Sequence, residues 1–134
     1  MFADRPQTQE RLERELIIWL TTVRPNGQPQ TSAVWFIVDD GEFLIYSKPS
    51  VAKVDNIAAN PKVALNLDGN GMGGDIVTVE GSARIVPGHV PADQMPKFVA
   101  KYADRISRNG WTPASFAADY SVPIRVNVTR ARAW

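Results

Sequence analysis

The chain contains no cysteine. Disulfides, thiolate nucleophiles and Cys-ligated zinc or iron–sulfur centres are therefore excluded. It has a single histidine, His89, so no cluster of imidazoles can hold a metal within one chain. It also lacks an excess of charge: 15 Lys and Arg stand against 14 Asp and Glu, a net charge of +1. No basic field is present to hold a nucleic-acid backbone. Apolar runs such as Leu16–Leu20 are far too short to span a bilayer. The charged N-terminal stretch carries no signal-peptide core. The expectation is a cytoplasmic protein whose partners are a small molecule and a second copy of itself, not nucleic acid or membrane.

At 134 residues with ordinary apolar content, the chain is expected to form one domain over residues 1–134. Gln7–Glu15 is polar and rich in helix formers, which predicts a surface helix. Leu16–Val23 favours a strand, Pro25-Asn26-Gly27 a turn, and Thr31–Val38 a second strand. Asp39-Asp40-Gly41 signals a hairpin into a strand at Glu42–Ser47. Ser50 is placed to cap a helix over Val51–Ala59, which Asn60-Pro61 ends. Strands follow at Lys62–Asp68 and Asp75–Val86, then a helix over Pro91–Ser107, a short turn near Pro113–Asp119, and a strand at Ile124–Thr129.

Lys62–Asp68 and Asp75–Val86 alternate between apolar and polar residues, whereas Leu16–Val23 and Thr31–Val38 are apolar on both faces. A one-sided antiparallel strand should alternate. A barrel interior can cover one face, and a subunit interface the other. These patterns predict a mainly β fold, a six-stranded antiparallel barrel with flanking helices, in a homodimer.

Several motifs fail on context. Gly69–Gly74 spells G-x-G-x-x-G, but β-forming Ile76–Val79 follows where a dinucleotide fingerprint requires a helix. The run is expected to be an inter-strand loop, or one whose glycines let backbone approach a flat ligand. Asp68-Gly69-Asn70 opens like a calcium loop, but Val79 stands where a bidentate Glu is needed. No nucleophile-elbow G-x-S-x-G occurs, and His89 follows Pro87-Gly88 in a solvated turn. Lys97, Lys101, Arg105 and Arg108 form one helical stripe, by default a solvated face and alternatively a dock for a polyanionic tail.

The segment around Lys53 is more informative. Lys48, Ser50 and Lys53 surround a helix N-terminus, a favourable setting for an anion, and Lys53, Asn56 and Asn60 share one helix face. The chain also carries, in order, T-x-x-P-N-G-Q-P-Q-T-S-A-V-W-F (Thr22–Phe36), D-G-E-F-L-I-Y-S (Asp40–Ser47), A-K-V-D-N-I-A-A-N-P-K-V-A-L (Ala52–Leu65) and V-x-V-E-G-x-A-R-I (Val77–Ile85). In this order and spacing it resembles the pyridoxamine 5'-phosphate oxidase-like split β-barrel superfamily, and within it the small deazaflavin (coenzyme F420)-dependent oxidoreductases.

The resemblance implies a fold, a cofactor and a set of contacts. Thr31, Ser32, Ala33, Val34 and Trp35 would lie along the tricyclic ring of the cofactor. Ser47, Lys48 and Lys53 would hold its phosphate, with Asn56 beside them. Asn70 and Gly71 would reach the ring from the partner subunit. Ser47–Lys53 lacks the Arg of the Ser-Arg-Lys run of true pyridoxamine-phosphate oxidases, which argues against vitamin B6 oxidation. The resemblance thus implies an oxidoreductase that uses coenzyme F420 to pass hydride to a small organic molecule. The alternatives are FMN in the same fold, or a non-catalytic flavin- or haem-binding protein. Because the cofactor carries the chemistry, no acid–base dyad need stand out, and no catalytic residue is assigned. Trp35 and Tyr46 are candidates to stack on substrate, Trp35 equally a candidate for the core.

Overall fold

The computed structural model describes residues 1–134. Its elements are α1 (Pro6–Arg14), β1 (Ile18–Val23), β2 (Pro29–Val34), β3 (Ile37–Asp39), β4 (Glu42–Ser47), α2 (Ala52–Ala59), β5 (Lys62–Asn66), β6 (Val77–Ile85), a 3-10 turn (Ala92–Gln94), α3 (Pro96–Arg108), α4 (Pro113–Asp119) and β7 (Val122–Ala133). No helix is long and apolar enough to cross a membrane.

The expected six strands are seven, because Thr31–Val38 is not one strand. It divides at Trp35-Phe36 into the end of β2 and the start of β3. All seven form one antiparallel sheet in the order β2-β1-β5-β6-β7-β4-β3. Its two edges, β2 and β3, are thus joined by only two residues. Laid flat, the edges of such a sheet would stand about 29 Å apart at the usual strand spacing. The chain from Val34 to Ile37 can span at most about 11 Å. The sheet must therefore curl into a half-barrel that nearly closes on itself.

The Trp35-Phe36 junction has no strand partner, so its backbone must bond elsewhere. Tyr102 of α3 supplies the bond. The Phe36 N–H donates to the Tyr102 hydroxyl at 2.8 Å, and that hydroxyl faces the Leu16 and Phe36 carbonyls at 2.8 and 3.0 Å. Burial pushes the Tyr102 pKa upward, which keeps the phenol protonated.

The two-faced apolar pattern has its explanation here. One cluster fills the barrel and includes Ile18, Leu20, Phe36, Phe43, Ile45, Leu65 and Val79. A second lies outside the sheet, where Ile37, Leu44 and Tyr46 pack under Phe98, Tyr102, Ile106 and Phe116 of α3 and α4. The chain's own C-terminal helices cover this face of β3 and β4, whereas the second face of β1, at Trp19, Thr21 and Val23, stays half-buried.

Smaller differences have local causes. Ser50 does not cap α2; Val51 holds that place, with no side-chain cap. Pro91–Ser107 is broken at Met95, and α3 begins on Pro96, whose ring suits the first helical turn. Pro113–Asp119 is a helix secured by a capping box between Thr112 and Ser115. The charged stripe of α3 is only partly solvated. Lys101 donates to the Leu12 and Phe36 carbonyls, Lys97 to that of Val38, and burial with the charge of Lys97 brings the Lys101 pKa down to about 8. At Gly81 a Cβ would sit 2.6 Å from the Asn127 carbonyl oxygen, so the β6–β7 bulge between Glu80 and Gly81 needs glycine.

Arg125 of β7 ties the β3–β4 hairpin to the sheet. It reaches Asp39 at 3.1 Å and Glu42 at 2.8 Å, while Arg84 of β6 takes Glu42 with both arms at 2.7 and 3.0 Å. The Arg84 bonds, with those of Arg125, outweigh desolvation and hold the Glu42 pKa at about 2. A depressed carboxylate stabilises the fold above its unfolded value of 4.5, and that contribution disappears as pH falls toward about 2. Glu42→Gln should cost roughly 1.5–3 kcal/mol at neutral pH. In denaturant melts at neutral pH and near pH 3, the gap between wild type and variant should narrow at the lower pH. Tyr102→Phe should cost roughly 1–3 kcal/mol in the same melts, because it leaves a buried Phe36 N–H unpaired.

Candidate functional site

β2 is an edge strand, so the backbone of one of its sides is free of strand pairing. The α3–α4 layer does not cover it completely. Between them lies a cleft of about 490 Å³ lined by Ala33, Val34 and Trp35 at the end of β2, Tyr46, Ser47 and Lys48 at the end of β4, and Val51 and Lys53 of α2. Ile17, Arg105, Asn109, Trp111, Phe116 and Tyr120 complete it. The walls are mainly apolar and aromatic, and no Asp or Glu lines them.

Three cations face this acid-free space: Lys48, Lys53 and Arg105. None belongs to any of the ion pairs of the fold. Lys53 is half-buried, and that burial lowers its pKa. A cation held partly out of water without a counter-charge is a site that an anion would relieve. Lys48 is exposed, with its Nζ 5.5 Å from the centroid of the Tyr120 ring. Burial raises the pKa of Tyr46 to about 12, and its hydroxyl donates to the Val90 carbonyl at 2.7 Å. Tyr46 therefore offers the cleft a ring and no ionisable oxygen.

A second cavity of about 390 Å³ lies between α1, the β3–β4 hairpin and α3, lined in part by Phe2, Leu12, Glu13, Lys97 and Lys101. There the cations already sit on backbone carbonyls and an acid is present. The cleft beside β2 is the stronger candidate for an anion.

The sequence-predicted residues divide into three sets. Ala33, Val34, Trp35, Ser47, Lys48 and Lys53 come together in the cleft. Thr31 and Ser32 lie further along the same strand, with the Thr31 hydroxyl 2.7 Å from that of Thr21. Asn56 turns the other way: it is buried, and its amide donates to Thr22 at 3.0 Å and Gln30 at 3.3 Å, fixing α2 to the sheet. Asn70 and Gly71 lie in the β5–β6 loop and do not line the cleft of their own chain. The Asn70 carbonyl oxygen Oδ1 accepts from the Met72 and Gly74 N–H groups, and Arg11 pins the loop ends through the Asp68 and Asp75 carbonyls, both at 2.6 Å. Trp35 stacks between Tyr102 (centroids 4.5 Å apart) and Phe116 (5.2 Å), so it is both core and cleft wall. His89 lies outside the cleft and is not free: its Nε2 meets Arg125 at 3.0 Å, and its Nδ1 the Val90 carbonyl at 2.9 Å.

Sequence reasoning did not place Asn109, Trp111, Phe116 and Tyr120 in the site, and took Arg105 for part of a surface stripe. They reach the cleft only because α3 and α4 fold back over β4. The available signal was the aromatic set Trp111, Phe116 and Tyr120.

The pyridoxamine 5'-phosphate oxidase family model matches residues 5–134. The chain belongs to this family. Among solved structures, an F420 reductase is 30% identical, with 92% of this chain and 94% of that one covered at a TM-score of 0.67. A conserved hypothetical protein from Mycobacterium tuberculosis is 24% identical, with 97% and 83% covered at a TM-score of 0.73. A haem storage protein from Vibrio cholerae shares the fold at 15% identity, with 96% and 93% covered at a TM-score of 0.70. No curated protein matches the chain.

If an anion fills the cleft, the charged form of Lys53 is favoured and its depressed pKa should rise. NMR titration of the Lys53 side chain with and without inorganic pyrophosphate measures this directly. An unchanged Lys53 pKa in protein saturated with pyrophosphate would place the anion elsewhere.

Proposed function

We propose that the chain is a cytoplasmic oxidoreductase that binds coenzyme F420 in the cleft beside β2 and serves hydride transfer to a small organic acceptor. The observation that carries this reading is Lys53, a half-buried cation with no ion-pair partner at one end of an acid-free aromatic cleft whose floor is an open sheet edge. Such a cleft suits a ligand with a flat heteroaromatic ring at one end and a phosphate at the other. The 30% identical F420 reductase favours the deazaflavin among ligands of that shape.

Each part of the cleft has a task. Lys53 and Lys48 neutralise the phosphate, and the buried Ser47 ends β4 between them and the sheet. The free backbone of β2 offers the ring heteroatoms N–H and C=O groups fixed by the ladder to β1, so orientation needs little further ordering. Trp35, Tyr46 and Phe116 exclude water from one side of the ring. The bound deazaflavin supplies the hydride chemistry, and the protein supplies binding, orientation and dryness. In the same proposal the protein is a homodimer, and Asn70 and Gly71 of one protomer approach the cleft of the other. FMN is the alternative ligand of the same shape. A haem reading is disfavoured because the one imidazole is held by Arg125 away from the cleft.

Separate titrations with coenzyme F420, FMN and haemin test the proposal. Coenzyme F420 should bind most tightly. A charge-assisted contact is worth roughly 1.5–3 kcal/mol, so Lys53→Ala should weaken F420 about tenfold or more. Its thermal midpoint should change little, and Lys62→Ala, an exposed lysine on β5, should leave affinity unaltered. Tighter binding of FMN or haemin, or an undiminished affinity of Lys53→Ala, would overturn the assignment.

A further inference from the structure

The cleft has a second recognition pole that the cofactor reading leaves unused. Arg105 in the last turn of α3 and Asn109, which caps that helix, lie one turn apart. Trp111 follows, 37% exposed, and all three line the cleft. The Arg105 guanidinium, the Asn109 side-chain amide and the Trp111 indole N–H have no hydrogen-bond partner within the chain. A basic residue in the last turn of a helix has an ordinary role, because it complements the helix dipole. Arg108 occupies the same turn and takes Asp104 at 2.8 Å, whereas Arg105 has no such partner and faces the cleft instead.

An aromatic panel adjoins this pole. Trp111 lies 6.1 Å from Phe116 and 6.2 Å from Tyr120, and Tyr120 stacks on Phe116 at 4.5 Å. Tyr120 is the common neighbour of Trp111 and Lys48, so it stands between the two cationic ends of the cleft. One guanidinium fork suits a carboxylate, which it can take with two parallel bonds. The exposed Trp111 face suits a flat conjugated body.

We propose that Arg105, Asn109 and Trp111 form the acceptor subsite, and that it selects a planar conjugated molecule bearing one carboxylate. This rests on the reading of Lys48 and Lys53 as the cofactor end. Arg105 is then a specificity-determining residue, which fixes the acceptor by its carboxylate while the panel holds its plane.

Cinnamate and its neutral isostere cinnamamide are suitable probes, titrated calorimetrically into the protein with and without coenzyme F420. Wild type should prefer cinnamate by about tenfold or more, the value of one charge-assisted contact. Arg105→Gln should abolish that preference while holding F420 affinity within about twofold, since the cofactor contact is assigned to Lys53. Trp111→Leu should weaken both probes alike. Because Arg105 is exposed and unpaired, an unchanged thermal midpoint verifies that the variant is folded. Failure of cinnamate to bind, equal binding of the two probes, or a preference that survives Arg105→Gln would overturn the subsite. An Arg105→Gln variant that loses F420 as severely as Lys53→Ala would overturn it too, by assigning Arg105 to the cofactor's anion. Failure of F420 to bind while Arg105-dependent cinnamate preference persists would refute the cofactor reading and leave the carboxylate subsite standing.

Discussion

The two edges of the sheet have to meet across Trp35 and Phe36. That short connection forces seven strands to curl, and it leaves a stretch of backbone without a strand partner at the point of closure. Tyr102 resolves the difficulty with a single hydroxyl that serves both polar groups of Phe36 and reaches back to Leu16. Lys101, on the preceding residue of α3, donates to the same Phe36 carbonyl and to Leu12, so α3 is fastened to the junction at two successive positions. The helix that closes the barrel is therefore the one that walls the cleft.

From this follows the form of the site. A closed barrel would have no free edge, but a half-barrel keeps one on β2, and the end of that strand at Ala33 and Val34 opens into the cleft beside the α3–α4 layer. The interior cluster gives the sheet its rigidity, and the outer cluster places Trp35 and Phe116 against the cleft. The cations at its ends have no internal partner, whereas Arg84, Arg125, Lys97 and Lys101 are engaged in holding the fold. The division between structural and available charge is the clearest functional signal in the molecule.

Much of this was legible in the sequence because the determinants are local. Asn26-Gly27 and Asp40-Gly41 mark turns by their backbone demands, Pro61 ends α2, and the alternation of Val63, Leu65, Val77 and Val79 marks half-buried strands. Lys48 and Lys53 were legible as candidates to hold an anion because both lie at the start of one short helix. The break at Trp35-Phe36 was not. An unbroken apolar run reads as one strand, and only the distant Tyr102 shows where the ladder stops. The cover that α3 and α4 give Ile37 was hidden for the same reason: they lie more than fifty residues downstream of it. The family resemblance sets Asn56 beside the phosphate, but the sheet claims its amide through Thr22 and Gln30. Arg105 and Trp111 join the cleft only in three dimensions.

The most direct test of the account is hydrogen–deuterium exchange, resolved by peptide, with and without saturating coenzyme F420. Free-edge amides exchange readily unless a ligand bonds to them. Binding in the cleft predicts new protection confined to Thr31–Trp35, Ser47–Lys53 and the walls of α3 and α4. Protection that appears instead around Phe2–Glu13 and Lys97, with β2 unchanged, would show that the open edge and Lys53 are not where the cofactor docks.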